Sequence, residues 1–267
     1  IPGLNNGNAA VLQDIDSPIA KYADDALTGE GKRTAKALGD VVEPFREKLV
    51  AGGERAGKSD SSAASVLPRT FDSTLIWIIA KDYRFTRQEF DNLHKWYSQL
   101  GLVVSVSDPA NEFPPRIMKV YRGSLPPLEI RTVTAADIRK IGMKAPDGII
   151  AAEASNLSHE AYLRLRGRLA EKRGWLIMSG TFEKGNEWYG ELFDEWRQGT
   201  ARGQKSYSLP TWSNTFIFPG GLHDPEILAL RSGMSAARFK ERHGGRPVVA
   251  ADVVFPAVFS GTIHTPT

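Results

Sequence analysis

The chain has 267 residues, 41% hydrophobic and 24% charged, the balance of an ordinary globular protein long enough to bury a full core. Its 34 basic and 31 acidic side chains leave a net charge of +3, too small to argue for nucleic acid without local clustering. Cysteine is absent, which excludes disulfides and cysteine-based zinc sites, and neither a run of membrane-span length nor a signal peptide is evident.

The first residue is Ile1 rather than Met, so the chain reads as a fragment or processed form of a longer product. Residues 1–40 begin Asn/Gly-rich and then offer two short helices, Ser17 to Ala26 and Gly31 to Leu38. They are expected to form an N-terminal arm or small helical subdomain. From Val41 an α/β rhythm begins. Lys48-Leu49-Val50-Ala51 has the character of a buried strand and runs into Gly52-Gly53-Glu54-Arg55-Ala56-Gly57-Lys58-Ser59. That octet fits G-x-x-x-x-G-K-[ST], a loop that wraps a nucleotide's phosphates. Gly52 and Gly57 let the backbone curl so that its N–H groups face an anion. Lys58 brings a charge to the outer phosphates, and the Ser59 hydroxyl suits Mg²⁺. Ser61 to Val66 is expected to open a helix with its N-terminus at the phosphates.

Leu75 to Ala80 is a continuous apolar run, as in a strand covered on both faces. Thr86 to Leu100 places Phe90, Leu93, Trp96, Tyr97 and Leu100 at helical spacing and stops at Gly101. Strands are expected at Leu102 to Val106, Lys119 to Tyr121 and Leu128 to Thr132, with a turn at Phe113-Pro114-Pro115. Pro146 to Ala154 is an apolar run ending in an acid, Glu153, placed where an open parallel sheet puts its ligands. A nucleotide-hydrolysing strand usually ends Asp-Glu, with Asp supporting Mg²⁺ and Glu orienting the attacking water; here Ala152 takes the Asp place.

Ser158 to Lys172 predicts a helix capped by Ser158. Its Arg164, Arg166 and Arg168 are candidates for DNA-phosphate contacts, although a solvated surface explains any one of them. Trp175 to Met178 is a buried strand running into Ser179-Gly180-Thr181, small polar residues suited to sensing a γ-phosphate. An amphipathic helix is expected over Glu187 to Gln198, a strand over Lys205 to Leu209, an aromatic-rich loop over Pro210 to Gly221, and helices over Asp224 to Leu230 and Ser235 to Arg242. Val248 to Phe259 carries Pro256 and reads as an edge or linker. The five histidines show no metal-ligand spacing.

The order of these pieces resembles the ATPase domain of the large terminase subunit of tailed bacteriophages, a DNA-packaging motor. The resemblance covers about residues 41 to 260. It rests on the octet Gly52 to Ser59, on Ala145 to Ala154, on Leu163 to Leu169 and on Trp175 to Thr181. Ser208 to Asn214, Phe218-Pro219-Gly220-Gly221 and Phe239 to Gly245 extend it. It implies a P-loop NTPase of the RecA-like (ASCE) type, α/β, with a mostly parallel central sheet and helices on both faces. The implied organisation is an ATPase core at 41–208, a lid-like C-terminal subdomain at 209–250 and a linker at 251–267 towards a nuclease domain. Nuclease activity is not expected from these residues.

The resemblance further implies ATP and Mg²⁺ as ligands. Lys58 and Ser59 would hold them, Glu153 would position the water, and Ser179-Gly180-Thr181 would couple hydrolysis to movement. Arg55 fits the basic residue such motors carry within the loop, and Arg139 is the candidate for an arginine supplied by a neighbouring subunit. Double-stranded DNA, a portal protein and a small terminase subunit are the implied partners, in a homo-oligomeric ring in the host cell cytoplasm and without a membrane. An adenine-binding motif is not evident before the loop; Glu43, Phe45 and Arg46 stand there by position alone. Two alternatives stay open: another P-loop DNA motor such as a helicase, or a nucleotide-binding scaffold that hydrolyses weakly because of Ala152.

Overall fold

The computed structural model describes residues 45–107, 115–136, 144–182, 187–197, 199–200 and 203–248. The expected N-terminal arm, Glu43, Arg139, most of the turn at Phe113-Pro114-Pro115 and the linker at 251–267 lie outside them. Eight strands form one sheet in the order β3-β4-β5-β2-β6-β7-β1-β8. They are β1 (Glu47–Gly52), β2 (Leu75–Ala80), β3 (Val103–Val106), β4 (Ile117–Arg122), β5 (Leu125–Thr134), β6 (Gly148–Ala151), β7 (Trp175–Gly180) and β8 (Gln204–Leu209). The run β5-β2-β6-β7-β1-β8 is parallel throughout, and β3-β4-β5 is an antiparallel meander at one edge. One strand, β7, separates β1 from β6.

Because successive strand residues face opposite sides, the apolar runs feed two cores. Leu49, Trp77, Ile79, Ile149, Leu176 and Met178 face one side, where they pack with α3 (His159–Ala170) and α4 (Glu187–Trp196). Ile76, Ile78, Ile150 and Ile177 face the other, covered by α1 (Lys58–Ala64) and α2 (Arg87–Gln99). Each such residue is essentially inaccessible to solvent, a burial that stabilises by about 1.5–3 kcal/mol per large aliphatic side chain. Two short helices, α5 (Pro225–Ser232) and α6 (Ala236–Arg242), follow β8 with a small core of their own around Phe218, Ile227 and Phe239.

Among the boundaries that differ from the expected ones, two have a plain physical reason. Strand β5 starts at Leu125, before the expected Leu128, despite Pro126 and Pro127. The prolines are tolerated because pairing with β2 begins only at Glu129, and pairing with β4 is irregular between Val120 and Arg122. Helix α1 starts at Lys58 rather than Ser61, since Gly57 at φ 89° turns the loop directly into the helix. The stop at Gly101 is a left-handed residue with φ 72°, and Ser158 caps α3 by accepting from the Ala161 N–H.

Candidate active site

All parallel strands end on the same side, so the segments leaving β1, β6, β7 and β8 converge there. They enclose a cleft of about 1360 Å³, whose lining includes Arg55, Lys58, Ser59, Glu153, Thr181 and Asn214. The loop after β1 carries Arg55 at φ 61° and Gly57 at φ 89°, left-handed steps that turn successive amides toward one concavity. Gly52 has no room for a side chain, because a Cβ would lie 2.7 Å from Cγ of Lys58.

Lys58 folds back over the loop. Its Nζ donates to the carbonyls of Gly53 (2.9 Å) and Gly52 (3.2 Å) and to Oγ1 of Thr181 (3.0 Å). Thr181 in turn donates to the Gly52 carbonyl at 3.0 Å, locking the end of β7 to the loop. Burial lowers the Lys58 pKa, opposed by the charges of Glu153, Glu54 and Glu89. Glu153 follows β6 in a left-handed conformation, φ 45° and ψ 48°, a costly state for a side chain with a Cβ. It lies near Lys58, Glu89 and the buried Tyr189, whose pKa is raised by burial and then by the Glu153 charge.

Ala152 is fully buried, its N–H donating to the Ile79 carbonyl at 2.7 Å. A carboxylate the sequence did not disclose lies close by. Glu89, in the first turn of α2, is 2% exposed and stands beside the Ser59 side chain, which favours its charged form. Burial, first of its influences, pushes its pKa up to about 7. Among the described residues no group of three or more acids or histidines is arranged to hold a metal by itself. The Ser59 hydroxyl with Glu89 and Glu153 nearby is nonetheless an all-oxygen environment, which fits a hard divalent cation drawing its other ligands from phosphate and water.

The loop is braced from outside by the segment after β8. Gly53 donates to the Leu209 carbonyl (2.9 Å) and Glu54 to the Arg242 carbonyl (3.3 Å). Thr211 Oγ1 donates to the Glu54 carbonyl (2.8 Å), and Asn214 Nδ2 to the Arg55 carbonyl (2.7 Å). His243 Nδ1 stands 3.2 Å from Thr211 Oγ1. These braces escaped the sequence reading because Thr, Asn and His in a loop carry no spacing signal for a backbone contact.

Other candidates lie elsewhere. Ser179 and Gly180 are buried within β7 and do not line the cleft. Arg164 pairs with Glu160 at 2.8 Å, Arg166 reaches Glu47 at 3.4 Å, and neither these nor Arg168 enters the cleft. Phe45 and Arg46 precede β1, at the other end of that strand from the loop, and do not line the cleft. Arg46 donates to the Gly174 carbonyl at 2.6 Å, and Phe45 packs beneath Lys205.

No protein-family model matches the chain, and no curated protein matches it either. Solved structures do. The large terminase ATPase domain of Thermus phage P74-26 matches with a TM-score of 0.57 at 16% identity, over 76% of this chain and 89% of that one. The large terminase of a second thermophilic bacteriophage, solved in complex with ADP, matches with a TM-score of 0.58 at 11% identity. That match covers 91% of this chain and 53% of the other, so this chain spans about half of that protein. The same protein in complex with ATP-gamma-S gives a TM-score of 0.56 at 10% identity, over 90% and 52%. The chain therefore has the fold of large-terminase ATPase domains, a P-loop NTPase fold.

Proposed function

We propose that this chain is the ATP-hydrolysing motor domain of a DNA-packaging terminase, coupling ATP hydrolysis to translocation of double-stranded DNA. The observation that carries the reading is the convergence of Lys58, Glu153 and Thr181 on one cleft from the ends of three different strands. The fold likeness and the nucleotides bound by the second phage's terminase support it. In this reading the amides of Gly52 to Ser59 cradle the phosphates. Lys58 exchanges its bonds to the Gly52 and Gly53 carbonyls for the outer phosphate oxygens, and Arg55 adds charge from the cleft wall. When bound, Mg²⁺ would neutralise charge developing on the phosphates, held by Ser59. Glu153 accepts a proton from, and orients, the attacking water.

Thr181 is the contact through which a change at Lys58 reaches β7, which makes Ser179-Gly180-Thr181 the coupling segment. An arginine from a neighbouring subunit, with Arg139 as candidate, completes the charge in an assembled ring; such arginines are worth roughly 10³-fold or more in rate. The same reading assigns residues 209–250 as a lid, and a portal protein and small terminase subunit as partners in the host cytoplasm. Basic residues of α3, Arg164, Arg166 and Arg168, are assigned to DNA contact. No helix among the described residues is long and apolar enough to cross a membrane.

ATPase assays of Lys58→Ala and Glu153→Ala test the reading. Turnover is expected to fall at least about 100-fold in each, and unchanged turnover in either overturns it. The burial of a methyl group at Ala152 favours a second reading, a nucleotide-binding scaffold. Measuring affinity and turnover separately divides the two, since tight binding without hydrolysis selects the scaffold.

A further inference from the structure

An acid at the end of β6 would project into the space between β6 and its neighbours, and this chain has Ala152 there. One neighbour is β2, paired in parallel so that Ile79 sits opposite Ala151. The chain leaving β2 passes through a short turn, Tyr83–Thr86, capped by the Asp82 carboxylate accepting from the Arg84 N–H, and enters α2. This places the first turn of α2 over the same strand ends. Gln88 of that turn and Asn92 of the next, with Phe85 before the helix, line the cleft, and Glu89 between them in sequence is buried.

Three features of Glu89 do not belong to an ordinary structural acid. Its side chain is almost wholly buried, which costs an ionised group several kcal/mol, offset only in part by the Lys58 charge. The Ser59 side chain stands beside it, while its buried Oε2 has no hydrogen-bond partner. The groups that influence it most after Ser59 and its own backbone are Glu153 and Lys58, both on the cleft. A serine hydroxyl has one proton and two lone pairs. A Ser59 proton given to the Glu89 carboxylate would leave the lone pairs directed away from that acid, and Ser59 lines the cleft.

We propose that Glu89 is the positioning carboxylate for the nucleotide's divalent cation: it holds the Ser59 proton so that the Ser59 oxygen faces the cation, and it supplies the negative charge that Ala152 cannot. The proposal rests on the reading of the cleft as a nucleotide site. It moves the supporting acid from the end of β6 to the helix that follows β2.

The test is a titration of the full chain with a fluorescent ATP analogue, first in EDTA and then at increasing Mg²⁺. Wild-type protein is expected to bind in EDTA and to bind more tightly as Mg²⁺ rises. Glu89→Gln, which preserves shape and removes the charge, should bind within about twofold of wild type in EDTA. Its Mg²⁺ midpoint should rise roughly tenfold or more, the usual cost of removing a group that orients a metal ligand. Glu89→Gln combined with Ala152→Asp should recover the wild-type midpoint, a rescue that loss of packing would not show. An unchanged midpoint in Glu89→Gln overturns the proposal, as does equal weakening with and without the metal. Should Glu89→Gln not fold, Glu89→Asp retracts the carboxylate by one methylene; a shifted midpoint supports the role and an unshifted one overturns it. Wild-type protein that binds nucleotide without a metal effect overturns this inference alone, whereas absence of binding in EDTA and Mg²⁺ alike removes the nucleotide reading beneath it.

Discussion

Two acids mark opposite ends of the parallel strands. Where the strands begin, Asp147 accepts from the Thr74 N–H (2.6 Å), the Thr74 hydroxyl (2.8 Å), the Leu75 N–H (2.9 Å) and Lys172 Nζ (2.8 Å). Where they end, Glu89 keeps one buried oxygen without a partner, and Glu153 holds a left-handed backbone. Burial raises the pKa of both Asp147 and Glu89; at Asp147 the bonds from Lys172, Thr74 and Leu75 outweigh it and the pKa falls, whereas at Glu89 burial prevails. The beginning of the sheet is further tied by Arg122, which donates to the carbonyls of Thr70, Ser73 and Pro126, and by Gln204 donating to Glu47. Saturated groups hold geometry, while groups left short of partners are those able to change partners when a ligand arrives.

If the contrast is sound, crowding the beginning of the sheet should cost stability and spare binding. Gly148 opens β6, and a Cβ there would lie 1.9 Å from the Trp175 ring on the adjacent strand. Strand backbone cannot yield by that much. Gly148→Ala is expected to lose about 3 kcal/mol in denaturant unfolding, with nucleotide affinity of the folded fraction unchanged. Crowding the other end should do the reverse. A Cβ at Gly53 would meet Thr211 Oγ1 at 2.2 Å and the His243 carbonyl at 2.6 Å. Gly53→Ala should cost about 1–2 kcal/mol, because the segment after β8 can shift outward. That shift removes the braces of the loop, and nucleotide affinity should fall by at least about tenfold, or 1.4 kcal/mol.

The same contrast explains what was legible in the sequence. Saturation of the apolar kind leaves a pattern: Leu75 to Ala80 was bounded to the residue because a doubly covered strand is continuously apolar. The loop was legible because phosphate binding demands glycine and lysine at fixed spacing. Glu89 left no mark, since one acid in a helix's first turn is what the helix dipole favours on any surface. Only tertiary packing turns it inward, beside Phe90 and under Ser59. The antiparallel edge β3-β4-β5 was likewise hidden, because strand-forming residues do not disclose which strand they pair with.

Acid should expose a milder difference. The Asp147 pKa is depressed below its ordinary 3.8, so this carboxylate stabilises the fold above that pH and loses its contribution as pH falls through the folded-state value. Asp147→Asn is expected to cost about 1–2 kcal/mol at pH 7, chiefly the charged bond from Lys172. The gap between wild type and variant should narrow below about pH 4, measured by urea unfolding across the acid range. A gap independent of pH would mean that the substitution acts through shape rather than through charge.

The smallest effect concerns a charged pair at the ligand end. Arg242 Nη2 lies 2.6 Å from Glu54 Oε1, yet both side chains are about half exposed, at 46% and 51%. Solvent and salt screen such a pair, and its worth is typically about 0.2–1 kcal/mol. Its backbone contact is of another kind, since the Arg242 carbonyl accepts from the Glu54 N–H whatever the side chain is. Arg242→Ala should therefore change stability by no more than about 1 kcal/mol, an effect that shrinks at about 1 M salt. Nucleotide affinity should stay within about threefold, because 1.4 kcal/mol would be needed for a tenfold loss. A tenfold loss would show that this charged pair, which lines the cleft, matters more to nucleotide binding than the braces from Leu209, Thr211 and Asn214. The ligand end would then depend on ionic strength.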